Sequence, residues 1–171
     1  MYGIIATWRM ALEGISKADS MLKNNESAAD SIEEAIKAVE DFEYYKSVGY
    51  GGLPNEEMEV ELDAAFMDGD TLEFGCVGGI KDFANPVSIA RSLMHYDANN
   101  FLIGQGAEKY ASRHGFERKT MLTDRAKIHY HNRTKEITNT ELKPYSGHDT
   151  VGMVCLDTAG HMTCATSTSG L

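Results

Sequence analysis

Residues 147–157 read GHDTVGMVCLD, and residues 158–169 continue as TAGHMTCATSTS. Residues 150–156 and 162–166 have strand-like composition, and the turn-forming residues 157–160 between them indicate a hairpin. The Asp149-Thr150 bond lies directly before the first of these strands. A threonine hydroxyl can attack the preceding carbonyl, and hydrolysis of the resulting ester frees a threonine whose own α-amine can act as its base. The pattern therefore predicts self-cleavage at Thr150, with an ordinary strand entry as the alternative.

Composition and charge narrow the class of protein. The 171 residues are 42% hydrophobic and 25% charged, which is typical of one globular domain. A net charge of −10 disfavours nucleic acid and anionic membranes as partners. Three cysteines without a C-x-x-C pair indicate neither a zinc site nor a disulfide framework, and we expect no cofactor and no metal. We expect a cytoplasmic protein, or a periplasmic or secreted one if a leader has been removed.

Hydrophobic periodicity predicts that strands and helices alternate along the first 115 residues. The predicted strands are a buried strand at 3–8, a strand at 58–62 with glutamates on its wet face, a hairpin around Asp68-Gly69, and a short strand at 101–103. The predicted helices are one with apolar positions Ala11, Ile15, Ala18 and Leu22, two that follow the cap residues Ser27 and Asn85, and one that ends at Gly115. Residues 46–55 form a glycine-rich loop between the second helix and the next strand.

Residues 117–147 lose this periodicity, and we predict an exposed, mobile linker with a helical turn around 124–129. His129 and His131 lie two residues apart within it. Metal ligation would need further ligands that the sequence does not indicate, so a solvated loop is the favoured interpretation.

Several motifs occur in a fixed order along the chain: Ala6-Thr7-Trp8, Ser47-Val48-Gly49-Tyr50-Gly51-Gly52, Leu62-Asp63-Ala64, Met67-Asp68-Gly69, His148-Asp149-Thr150 and Thr166-Ser167-Thr168-Ser169-Gly170. In this order the set resembles the glycosylasparaginase family of the N-terminal-nucleophile hydrolases. The likeness runs from about residue 3 to residue 171.

The resemblance implies roles for particular residues. Thr150 would be the nucleophile, with Thr168 orienting or polarising its hydroxyl and Ser47 approaching it. Asp149 would be the acylated partner in self-cleavage, and His148 would hold the scissile turn. Without the resemblance, Ser47 and Thr168 read as an ordinary turn residue and an ordinary strand residue.

The resemblance also assigns Trp8 to the wall of the substrate pocket. Without it, Trp8 reads as a partly buried core aromatic. The family's arginine and aspartate that grip the substrate's α-carboxylate and α-amine lie beyond residue 171. The 171-residue chain alone is therefore expected to be inactive.

The resemblance implies an α/β fold, namely a four-layer αββα sandwich of which this chain supplies part of each layer. Residues 1–149 would belong to an α-subunit and 150–171 would open a β-subunit, and the αβ unit would pair again as (αβ)2. The expected substrate is a small asparagine derivative, N4-(β-N-acetylglucosaminyl)-L-asparagine. The alternatives are an isoaspartyl peptidase or L-asparaginase of the same superfamily, and a non-catalytic fragment that lacks the substrate clamp.

Overall fold

A computed structural model describes residues 1–138 and 150–169, with the side chains of 133 and 136–138 left out. Six strands and five helices follow one another along these residues. The strands are β1 (Gly3–Ala6), β2 (Leu62–Asp68), β3 (Phe74–Ile80), β4 (Phe101–Ile103), β5 (Val151–Leu156) and β6 (Met162–Ser169). The helices are α1 (Leu12–Lys23), α2 (Ala28–Glu40), α3 (Pro86–Leu93), α4 (Gly104–Arg113) and α5 (Asp124–Thr138), and a short 3₁₀ turn, Arg9–Ala11, precedes α1.

The six strands form one sheet in the order β1-β5-β6-β2-β3-β4. All neighbours are antiparallel except β3 and β4, which are parallel. The hairpin of β5 and β6 is inserted between β1 and β2, so both of its outer sides are paired with strands from the first half of the chain. The C-terminal hairpin is therefore central to the sheet.

One face of the sheet is covered by helices, and we call it the helical face. Helices α2 and α3 pack on it directly, with α1 against β1 and α2, and α4 against β3. Its side chains alternate along each strand with those of the opposite face, as the pleat requires. Fully or almost fully buried residues contributed by strands and helices to this core include Leu22, Ile32, Ile36, Leu62, Phe66, Val77, Ile89, Leu93, Val151 and Cys155.

The opposite face, which we call the open face, has no covering layer among the described residues. It is apolar nonetheless, and its exposed large side chains are Ile5, Phe74, Phe101, Ile103, Val154 and Met162. Between the strands it forms a shallow depression of about 550 Å³ whose lining includes Ile5, Met67, Phe74 and Val154. An α+β sheet with helices on one face is an incomplete portion of the αββα fold, which confirms the predicted fold class. The expectation that the chain supplies part of all four layers is wrong for the described residues, because they contain one sheet and one helical layer.

Side-chain hydrogen bonds fix the start of α2. The Ser27 hydroxyl accepts from the Asp30 N–H at 3.0 Å, as the sequence predicted. Asp157, in the turn between β5 and β6, accepts from the Ala28 N–H at 3.1 Å. Burial alone would raise the pKa of Asp157, but the N–H groups of Ala28, His161 and Ala159 lower it below its ordinary value. The cap thus ties α2 to the C-terminal hairpin.

The strand predicted at 58–62 is wrong, because β2 begins only at Leu62. The Asn55 side chain accepts hydrogen bonds from the N–H groups of Glu57 and Glu59, both at 3.0 Å, and closes a turn. Met58 has a φ of 62°, which a strand does not allow. The predicted burial of the strand at 3–8 is also wrong in part, since Ile5 of β1 is 72% exposed on the open face.

The prediction of an exposed linker is wrong from Met121 onward, although the helical turn predicted around 124–129 is confirmed as part of α5. Met121 and Thr123 are buried, and the Met121 carbonyl accepts from the Gly51 N–H at 2.9 Å. The Thr123 hydroxyl accepts from the Ala126 N–H and caps α5, which continues to Thr138. His129 and His131 thus lie on a helix, where side chains two residues apart point in different directions. Residues 139–147 lie outside the described part of the chain.

No described helix combines the length and the apolar character needed to cross a membrane.

Candidate functional site

The predicted nucleophile lies at one end of the sheet, where β5 begins. Thr150 is exposed and directly precedes β5. The pairing of β5 with β6 places Val151 opposite Ser167, and continuing it by one residue puts Thr150 opposite Thr168. On the other side of β6, Thr168 stands opposite Asp63 of β2. Three strands therefore bring Thr150, Thr168 and Asp63 into one polar row.

Ser47 contacts Thr168 of this polar row through its backbone carbonyl. The Ser47 carbonyl accepts from the Thr168 hydroxyl at 3.3 Å and from the Ser169 N–H at 2.6 Å. Ser47 itself is buried. The structure thus brings Ser47 and Thr168 together by extending the end of β6 onto the glycine-rich loop. The predicted approach of Ser47 to Thr150 stays a prediction.

Two glycines allow the glycine-rich loop to pack closely against α2 and β6. Gly49 has a φ of +62°, and a Cβ there would lie 2.2 Å from the Glu40 carbonyl oxygen. A Cβ on Gly52 would lie 2.9 Å from the side chain of Ser169. A side chain at position 49 would clash with the end of α2, and one at position 52 would clash with Ser169 of β6. The two glycines therefore allow the loop that carries Ser47 to lie between α2 and β6.

Trp8 lies two residues past the end of β1, beside the start of β5. Its side chain is 52% exposed, so it is available to contact a ligand. Its backbone has φ 62° and ψ 150°, a region that is almost exclusive to glycine. Strain of this kind is concentrated at functional sites, and here it turns the chain from β1 into the 3₁₀ turn.

Two residues of the site were not assigned a role from the sequence. The Thr7 hydroxyl donates to the Thr150 carbonyl at 2.9 Å and accepts from the Gly152 N–H at 2.8 Å. Asp63 stands opposite Thr168 and accepts from the Gly79 N–H at 2.8 Å. Both lie inside motifs that carry the resemblance, and this was the only sequence signal that pointed to them.

Glu40 is a buried carboxyl group behind the site. Its two oxygens accept from the Val87 N–H at 3.1 Å and from the Asn85 side-chain amide at 3.3 Å, while its backbone carbonyl accepts from the Tyr50 N–H at 2.7 Å. Burial raises the pKa of Glu40 to about 8. The Ser167 hydroxyl partly opposes this rise, although its geometry falls short of a full hydrogen bond. Glu40, rather than the predicted Asn85 side chain, therefore caps α3 and holds the loop of Ser47.

His148 and Asp149 lie outside the described residues, so their predicted roles stay predictions. Within residues 1–138 and 150–169, no three His, Cys, Asp or Glu side chains gather in a way that could hold a metal ion. The described site therefore consists of threonine hydroxyl groups, the Asp63 carboxylate and backbone polar groups. Such groups can orient a nucleophile and stabilise an oxyanion.

The sequence matches a known protein family over nearly its whole length. A family model described as asparaginase, of the type 2 class, matches residues 6–171. The chain belongs to this family. The match spans every motif that carries the resemblance, and it confirms the family that those motifs indicated.

Curated relatives of this chain include proteins with two different names. The chain is 32% identical over 168 residues to an N(4)-(Beta-N-acetylglucosaminyl)-L-asparaginase of Elizabethkingia miricola, covering 98% of this chain and 49% of the relative. It is 36% identical over 166 residues to an isoaspartyl peptidase/L-asparaginase of Rattus norvegicus, covering 93% and 50%. The corresponding Homo sapiens protein is 35% identical over 156 residues, covering 88% and 50%. The chain thus spans about half the length of the curated relatives it matches.

Proposed function

We propose that the complete polypeptide containing this chain is a self-processing amidohydrolase. It cleaves itself before Thr150 and then uses Thr150 to hydrolyse the side-chain amide of N4-(β-N-acetylglucosaminyl)-L-asparagine. One observation carries the proposal: Thr150 is exposed at the start of a central strand, in register with Thr168, whose hydroxyl is bonded to Ser47.

Self-cleavage starts with the Thr150 hydroxyl oxygen attacking the Asp149 carbonyl carbon. The C–N bond breaks, its nitrogen becomes the Thr150 α-amine, and an ester joins the two residues. Water then hydrolyses the ester, leaving a carboxylate on Asp149 and a free hydroxyl on Thr150. His148 would hold the turn in which this bond lies.

Turnover uses the amine that cleavage creates. The α-amine takes the hydroxyl proton while the oxygen attacks the substrate amide, the glycosylamine leaves, and water releases aspartate from the acyl-enzyme. In this proposal Thr168 polarises the Thr150 hydroxyl, Ser47 supports Thr168, and Trp8 forms part of the substrate pocket.

The sheet supports the proposal that the cleaved pieces stay together as an αβ heterodimer. Residues 1–149 would contribute β1 and β2, and the piece beginning at Thr150 would contribute β5 and β6 between them. Separation would break both the pairing of β1 with β5 and that of β2 with β6. Further pairing of the heterodimer to (αβ)2 belongs to the same proposal. So does a reducing, cytoplasmic location, with which the three free cysteines are consistent.

A second candidate is an isoaspartyl peptidase or L-asparaginase. The rat relative with that name is 36% identical to this chain, against 32% for the bacterial glycosylasparaginase. The His148-Asp149 pair before the nucleophile favours the glycosylasparaginase assignment, because this pair is part of the motif set that resembles that family.

Mass spectrometry of the complete polypeptide tests the cleavage. The wild-type protein is expected to yield a second piece that begins at Thr150, whereas Thr150→Ala stays intact and inactive. Thr158→Ala is the matched control, because Thr158 lies in the turn at the far end of the same hairpin. An intact wild-type bond after prolonged incubation, or turnover by Thr150→Ala, would contradict the proposal.

Substrate comparison separates the two candidates. We expect kcat/KM for glycosylated asparagine to exceed that for β-aspartyl dipeptides by at least about tenfold, equivalent to about 1.4 kcal/mol of transition-state binding. The reverse ratio would assign the protein to the second candidate.

A further inference from the structure

The Thr7 side chain makes an unusual set of bonds at the start of β5. Its hydroxyl donates to the Thr150 carbonyl at 2.9 Å and accepts from the Gly152 N–H at 2.8 Å. The Gly152 carbonyl lies farther from this oxygen, at 3.4 Å, and already accepts from the Thr7 N–H at 2.9 Å. A hydroxyl has a single proton, so the shorter contact to Thr150 is the better use of it.

The backbone of β1 cannot provide this bond. In an antiparallel pair, alternate residues of a strand direct their N–H and C=O groups to the same neighbour, so Thr150 and Gly152 both face β1. Thr7 pairs with Gly152, and the next backbone rung toward Thr150 would come from Arg9. Trp8 has turned the chain away with φ 62°, and Arg9 already begins the 3₁₀ turn. The Thr7 hydroxyl therefore occupies the place of the missing rung.

This bond gains importance once Thr150 is an N-terminus. A chain end without tertiary bonds frays, and after cleavage nothing upstream restrains Thr150. Its carbonyl then belongs to the one peptide bond that Thr150 still has. Fixing the carbonyl oxygen restricts the movement of the whole residue, including its α-amine and its hydroxyl. Displacement of a reacting group by about 1 Å can lower a rate by about 10²-fold.

We infer that Thr7 is a positioning residue, whose hydroxyl holds the Thr150 carbonyl and thereby orients the nucleophile for both self-cleavage and turnover. This inference rests on the proposed function of Thr150. Thr7 does not touch the reacting atoms, and it acts only through Thr150.

The test compares two variants of the complete polypeptide. Thr7→Val keeps the shape of the side chain and removes the hydroxyl, whereas Thr7→Ser keeps the hydroxyl. We expect Thr7→Val to lower the self-cleavage rate and kcat by at least about tenfold with KM within about threefold, and Thr7→Ser to stay within about threefold of wild type in all three. The kcat is normalised to the cleaved fraction, measured by mass spectrometry, so that slow maturation is not mistaken for slow turnover.

Thr166→Val is the matched control. The Thr166 hydroxyl donates to the Val151 carbonyl at 2.9 Å, so it makes the same kind of bond one residue further along β5. Regular pairing with β6 already holds Val151, and we expect less than a threefold effect on kcat. Thermal unfolding of all variants shows whether a loss of rate is a loss of folding.

Three results would overturn the inference: wild-type rates in Thr7→Val, an equal loss in Thr7→Ser, or a loss that follows the unfolding temperature alone. If Thr150→Ala also matures and turns over, the proposed function itself has failed. If Thr150→Ala is inactive and Thr7→Val is normal, only the role of Thr7 has failed.

Discussion

On the helical face of the sheet Phe66 of β2 is 1% exposed, whereas on the open face Phe74 of β3 is 43% exposed and Ile103 of β4 is 66% exposed. The same strands supply both faces, and both are apolar. The helical face is closed by α2 and α3, and the carboxyl groups of Asp157 and Glu40 accept hydrogen bonds from the first turns of these two helices. The contrast teaches that the helical face forms a finished core, whereas the open face has the composition of a core without its second layer.

The largest expected effect is the difference between two phenylalanines. Phe66→Ala should lower the free energy of unfolding by about 3–5 kcal/mol, because it leaves a cavity in the helical face. Phe74→Ala should cost less than about half of that, since this ring already meets solvent. Urea unfolding of both variants measures the pair, and equal losses would contradict the comparison.

The buried carboxyl of Glu40 gives the helical face a pH dependence. The unfolded chain loses this proton near pH 4.5 and the folded protein only near pH 8, so unfolding between these values releases a proton and stability falls as the pH rises. Glu40→Gln imitates the protonated carboxyl and should reduce this slope by up to about 1.4 kcal/mol per pH unit. The measurement is the free energy of unfolding at about pH 5.5 and about pH 8.

Glu34→Gln is the control for that experiment. Hydrogen bonds with Lys17 and Lys37 lower the pKa of Glu34, so its contribution is present above the unfolded value and is lost only as the pH falls below it. The variant should therefore leave the slope between about pH 5.5 and about pH 8 unchanged. A similar change of slope in both variants would exclude burial of Glu40 as the cause.

Loss of the cap of α2, which packs on the helical face, should have a smaller effect on the free energy of unfolding. Ser27→Ala removes the bond to the Asp30 N–H and should cost about 1 kcal/mol. Ser20→Ala, on the exposed surface of α1, serves as the comparison and should stay within about 0.5 kcal/mol. Thermal unfolding of the two variants side by side provides the check.

The smallest expected change in stability is on the open face. Ile103→Lys should alter the free energy of unfolding of this chain by no more than about 0.5 kcal/mol, because Ile103 contributes little to the closed core. It should nevertheless lower the fluorescence of a bound hydrophobic dye, because it interrupts the apolar surface. A large loss of stability would mean that the open face already contributes to the core.

Local signals in the sequence predicted much of the fold. The Ser27 cap, the Asp68-Gly69 turn, Pro86 at the start of α3 and Gly115 after α4 all act through neighbours a few residues away, and the structure confirms them. The false strand at 58–62 came from alternation alone. It failed because the Asn55 side chain closes a turn, which the residue type already allowed.

Long-range contacts explain what the sequence could not predict. Glu40 follows a helical stripe and precedes Asp41, which is typical of a surface position, and its partners Asn85 and Val87 lie more than forty residues away. Helix α5 has a weak apolar stripe, so only its Thr123 cap distinguished it from a loop. In the candidate site, the motifs singled out Ser47 and Thr168, and the structure shows their contact, whereas the proposed role of Thr7 required the strand register.

The backbone conformation of Trp8 has opposite consequences for selection on stability and selection on function. Its φ of 62° and ψ of 150° cost a tryptophan about 1–3 kcal/mol that a glycine would not incur. A population of variants sorted only by heat tolerance should therefore accumulate glycine at this codon, whereas one sorted by growth that depends on the proposed amide hydrolysis should retain the indole. Sequencing the two populations would reveal which pressure has kept an aromatic residue in a conformation that suits it so poorly.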